Sequence, residues 1–113
     1  LAQRFDLDDD PTAHTGHGLF SMANSTDAQV LGTDLGNEDY ECSSGVLHLY
    51  NPSSTTFYKA FVWVGIGSNV ANAAQYHRVG GYVKAPTTAV DVIYFEHDAG
   101  NTSGTFTLYG LSK

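Results

Sequence analysis

The stretch Thr55-Thr-Phe-Tyr-Lys-Ala-Phe-Val-Trp-Val-Gly-Ile66 reads as a long β-strand. It is rich in β-branched and aromatic residues and has no 3.6-residue repeat. Its side chains would alternate between two faces of an extended backbone. Tyr58, Ala60, Val62, Val64 and Ile66 share one face, and Phe57, Lys59, Phe61 and Trp63 the other. A lysine between two phenylalanines is poorly suited to a sealed core, so the aliphatic row is expected inside and the Phe57/Lys59/Phe61/Trp63 row outside. Three outward aromatics in a row require cover.

The flanking segments carry the same signal. Gly45-Val-Leu-His-Leu-Tyr50 alternates, and Asn51-Pro-Ser-Ser54 is a turn in which proline presets φ, so residues 45–66 form a hairpin. Asn69-Val-Ala-Asn-Ala-Ala74 admits one helical turn or a loop. Residues 75–83 read as a strand with Val79, Gly81 and Val83 inward and Tyr76, Arg78 and Tyr82 outward. Residues 89–97 follow as another strand. Near the end, Thr105, Thr107 and Tyr109 alternate with Phe106 and Leu108, which predicts a closing strand joined to 89–97 by the turn-rich Asp98-Ala-Gly-Asn-Thr-Ser-Gly104. The expected core is Leu47, Leu49, Val62, Val64, Ile66, Val79, Ile93, Phe95, Phe106 and Leu108.

Residues 1–37 are less regular. Asp8-Asp-Asp-Pro11 interrupts any strand, and His14-Thr-Gly-His-Gly18 reads as flexible. Gly18-Leu-Phe-Ser-Met22 and Ala28-Gln-Val-Leu31 are short strand candidates. One domain is expected in all: an irregular N-terminal arm over 1–37, whose first ten residues reach a neighbouring chain, and a β-sandwich core over 38–113. Short strands separated by Gly- and Pro-containing turns place the chain among all-β, antiparallel β-sandwiches.

Composition narrows the function. The 113 residues suffice for a core without staples. Charged residues make up 15%, well below the roughly 25% of average domains, while glycines and aromatics abound. The net charge of −7 and the scattered Arg4, Lys59, Arg78, Lys84 and Lys113 argue against nucleic acid, which demands clustered cations. No run of about 20 apolar residues predicts a membrane-spanning helix. Cys42 is single, so no internal disulfide forms, and a small structural side chain is the favoured reading over a nucleophile.

The ending Ser103-Gly-Thr-Phe-Thr-Leu-Tyr-Gly-Leu111, preceded by Ala89-Val-Asp-Val-Ile-Tyr-Phe95, resembles the small jelly-roll-like C-terminal β-domains of tailed-phage virion structural proteins. Their last strand takes the form S/N-G-T-[FIS]-x-L-Y-G-[IL] after an apolar A-[IV]-x-x-[IV]-x-F strand. Gly80-Gly-Tyr82 with Ala85-Pro-Thr-Thr88 suits the same layout, and the likeness covers roughly the last two thirds of the chain. It implies a jelly-roll type of sandwich and a virion building block: a capsid-decoration, head-tail or tail/fibre protein, homo-oligomeric and bound to other virion proteins.

No catalytic, cofactor or metal constellation stands out. Asp6, Asp8, Asp9 and Asp10 fail the EF-hand spacing, because Pro11 stands where that loop needs glycine. His14, His17, His48, His77 and His97 would make a metal site only if the fold gathered them. There is no Gly-x-Ser-x-Gly elbow, and Glu96, His97 and Asp98 are strand neighbours that face alternate sides. The chain is therefore expected to be non-enzymatic. Its candidate interface or ligand platform is the aromatic set Phe57, Lys59, Phe61, Trp63, Tyr76, Arg78 and Tyr82, meeting another subunit or the arm. The alternative is a receptor- or carbohydrate-binding module of a fibre or spike, with rings stacking on sugar.

Overall fold

The computed structural model describes residues 3–7, 14–18, 22–25, 29–84, 87–97, 99–100 and 103–111, the first three stretches by backbone alone. The described residues hold no helix. Their strands are β1 (Gln3–Leu7), β2 (His14–Gly18), β3 (Met22–Ser25), β4 (Gln29–Gly32), β5 (Ser43–Leu49), β6 (Lys59–Ser68), β7 (Ala74–Val83) and β8 (Ile93–His97). All pairings are antiparallel. They build a three-stranded sheet, β4-β1-β8, and a five-stranded sheet, β3-β2-β7-β6-β5.

The β5-β6-β7 meander is the most continuous part, with an unbroken ladder from Lys59↔Val83 to Ser68↔Ala74. Its turns are made by local side-chain bonds. Asn51 takes φ 48°, and the Ser54 amide donates to the Asn51 carbonyl at 3.0 Å. The Ser54 hydroxyl then accepts from the Thr56 and Phe57 amides at 3.2 and 3.0 Å. Those amides are turned back into the loop, so β6 starts at Lys59 rather than at Thr55. Between β6 and β7, the Asn69 Oδ1 accepts from the Ala71 and Ala73 amides, and Asn72 takes φ 59°. The 69–74 segment is therefore a hairpin turn, not a helical one.

The core reverses the expected faces of β6. Leu31, Phe61, Trp63, Val79 and Val83 form one buried cluster, with Leu47, Leu49, Val90, Ile93 and Phe95 packed against it. Lys59 is fully buried at 0% exposure and Trp63 is 5% exposed, whereas Ile66 is 53% exposed and Val62 and Val64 are half-buried. Two features explain the reversal. The Lys59 ammonium donates to the Thr88 carbonyl, so its charge is hydrogen-bonded while its stem lies along apolar surface. Glycines in phase with Trp63 clear room for its indole: a Cβ at Gly45 would stand 2.4 Å, and one at Gly65 2.6 Å, from Trp63 side-chain atoms. On β7 the expectation holds, with Val79 and Val83 buried and Tyr76, Arg78 and Tyr82 outward.

Two further expectations are corrected at the ends. The 1–37 segment does supply short strands, but they are built into both sheets: β1 is central in its sheet, β2 lies between β3 and β7, and Gln29 and Leu31 of β4 are fully buried. The Gly-rich 14–18 stretch pairs along its whole length with β7, Gly16 opposite Gly81. Conversely, residues 103–111 form no strand. Phe106 is exposed apart from stacking on Phe95 with ring centroids 5.2 Å apart, and Leu108 is 88% exposed. The alternation is present, but no neighbouring backbone among the described residues completes it.

Candidate functional site

With Phe61 and Trp63 inside, the outer face of the five-stranded sheet is set by the even-numbered residues of β5, β6 and β7. The ladder aligns them in rows: Ser44, Ile66 and Tyr76; then Val46, Val64 and Arg78; then His48, Val62 and Gly80; then Ala60 and Tyr82. Val46, Ile66 and Tyr76 are more than half exposed. Together with Ser44 and Val64 they line a shallow groove of about 440 Å³. At the other end, Tyr58 and Tyr82 lie face to face, centroids 5.4 Å apart and planes within 6°. His48 stacks more loosely on Tyr50 at 6.4 Å. Arg78 is the one formally charged side chain among these rows.

The seven residues of the expected platform are thus divided. Tyr76, Arg78 and Tyr82 are on the outer face, Phe57 is exposed in the β5–β6 loop, and Lys59, Phe61 and Trp63 belong to the core. The structure replaces those three with Tyr58, Val46, Val64 and Ile66, which the alternation had assigned inward or left aside. A signal for the right choice was available: Gly65 and Gly67 share the Trp63 face, and small residues beside a large ring mark the side on which it packs.

The inner face carries the polar groups with perturbed settings. His77 is buried between β7 and β4, its ring against Gly32, where an added Cβ would stand 3.0 Å from the imidazole. Burial pushes His77 below its ordinary value near 6.5, because the charged form loses hydration there. The Trp63 Nε1 is buried with no hydrogen-bond acceptor among the described residues.

Of the described histidines, His48 is on the outer face, His77 is internal and His97 ends β8. Among the described residues, no three His, Cys, Asp or Glu side chains are gathered where they could hold a metal ion. The Asp8 to Asp10 cluster lies outside the described residues, as do the side chains of Asp6, His14 and His17. Cys42 is exposed just before β5, its amide donating to the Ser68 hydroxyl at 3.1 Å. The chain matches no family model, and comparison with curated proteins and with solved structures finds no similar one.

The arrangement is suited to burying surface against a partner. It offers aliphatic and ring area, few charges, and backbone already satisfied by the ladder, so covering it costs little desolvation of polar groups.

Proposed function

We propose that this chain is a non-enzymatic structural component of a phage virion that acts by protein–protein assembly, and that its two sheets make a jelly-roll-type sandwich. The observation that carries the assembly reading is the apolar face of exposed Val46, Ile66 and Tyr76 with half-buried Val64, on the regularly paired β5-β6-β7 meander. The virion setting rests on the likeness of roughly the last two thirds of the chain to phage β-domains, carried by the motifs within residues 80–111. The jelly-roll reading draws support from pairing order: β1 pairs with β8 and β2 with β7, two of the nested pairs of that fold. The inner four strands depart from it, β3 pairing with β2, β4 with β1, and β5 and β6 continuing from β7 as a meander.

A carbohydrate-binding module is the second reading, supported by the exposed Tyr58–Tyr82 stack, with Arg78 two rows along the same face. Ile66→Glu separates the two. It should weaken association by about 2 kcal/mol, the loss typical of an interface anchor, with sedimentation as the measurement. Unchanged mass together with loss of glycan-array binding in Tyr82→Ala would replace the assembly reading with the second one.

A further inference from the structure

We infer that residues 104–111 of one copy add as a strand to the open edge of β5 in a second copy. This rests on the assembly reading above but uses a different surface, the sheet edge instead of its outer face.

The acceptor is defined by elimination among the four edges. β5 ends its sheet, pairs with β6 without a bulge from Ser43↔Gly67 to Leu49↔Phe61, and contains no charged residue or proline. Natural edges are normally guarded by such residues or by bulges, and an unguarded edge is a template for another strand. The other edges are less inviting: β8 carries Glu96, β3 is irregularly paired, and β4 spans only four residues beside a register shift. The core is also incompletely closed along β5. Leu47 and Leu49 there, and Ile93 and Phe95 on β8, pack on the buried cluster yet stay only half-buried. The Val90 amide donates to the Pro52 carbonyl at 2.7 Å, which ties the approach to β8 to the loop that follows β5.

The donor matches this edge. Its eight residues compare with seven in β5, it is uncharged, and it has a strand's alternation of Phe106 and Leu108 with Thr105, Thr107 and Tyr109. In its own chain it touches Phe95 through Phe106 and then leaves Leu108 and Leu111 at 88% and 83% exposure. A Cβ at Gly104 or Gly110 would meet nothing within 4 Å. Added beside a second copy's β5, its backbone gains a ladder and its apolar row covers Leu47 and Leu49. Because neither strand carries charge, joining them brings none of the chain's −7 into contact at the seam.

Sedimentation and amide hydrogen exchange on the full chain across a dilution series test this. The expected result is a mass above the single chain, with protection at 43–49 and 104–111 that grows with concentration. Leu108→Pro removes one ladder donor at an exposed position outside any strand. It should weaken association at least tenfold and leave the melting of the dilute chain unchanged. Three results overturn the inference: a single-chain mass at every concentration, 104–111 protected in the dilute monomer (closure on its own edge), or association without protection of 104–111. The last would leave the outer-face reading standing, and that reading fails separately if Ile66→Glu is without effect.

Discussion

Replacing Trp63 by alanine tests the core assignment most directly, because the pattern of β6, with Lys59 in the same row, placed this residue outside. The indole is 5% exposed and rests on Gly45 and Gly65, whose missing side chains leave no neighbour able to fill the space it vacates. Truncating a buried aromatic costs about 3–5 kcal/mol. Removal of the unbonded Nε1 returns about 1 kcal/mol of that, since a buried donor without an acceptor is itself unfavourable. The net loss is about 3 kcal/mol, a large share of the roughly 5–15 kcal/mol that a domain holds in total. At about 4 °C per kcal/mol for a chain of this size, melting should drop by about 12 °C. Val64→Ala, on the half-buried outer face of the same strand, should cost less than about 1 kcal/mol. Thermal and guanidinium unfolding followed by circular dichroism measures both, as the tryptophan signal is absent from one variant. A larger loss for Val64→Ala than for Trp63→Ala would refute the assignment of faces.

Lys59→Glu should destabilise by at least about 3 kcal/mol, because it sets a buried carboxylate against the Thr88 carbonyl; near-native melting would mean that Lys59 is not enclosed. Gly65→Ala should cost about 1–3 kcal/mol, its methyl lying 2.6 Å from the Trp63 ring, and combining it with a smaller residue at 63 should recover part of that loss in the same unfolding assay. The depressed His77 sets a pH dependence: the unfolded chain binds the extra proton first, so this contribution to stability is complete above about pH 6.5 and falls as the pH drops below it. His77→Leu should flatten the melting-versus-pH curve in that window, and an unaltered slope would assign the dependence to other groups.

The all-β character, the antiparallel hairpin around Asn51-Pro52 and the inward row of β7 were legible in the residues, because period-two alternation and turn chemistry act over a few positions. The faces of β6 were not. Both of its rows are apolar, so the choice fell to Lys59, and a lysine is excluded from an interior only if no acceptor waits there. That acceptor is the Thr88 carbonyl, 29 residues away, and only the fold brings it near. The candidate site moved with that choice: Tyr76, Arg78 and Tyr82 stayed outside, while Phe61 and Trp63 gave way to Val64 and Ile66. The same limit governs the two ends. Residues 3–7 and 14–18 look irregular alone yet become strands because β8 and β7 offer them edges, and 104–111 looks like a strand yet has no ladder partner among the described residues. Local pattern sets which segments can be strands. Whether each becomes one depends on a backbone edge supplied from elsewhere, and that is a property of tertiary structure.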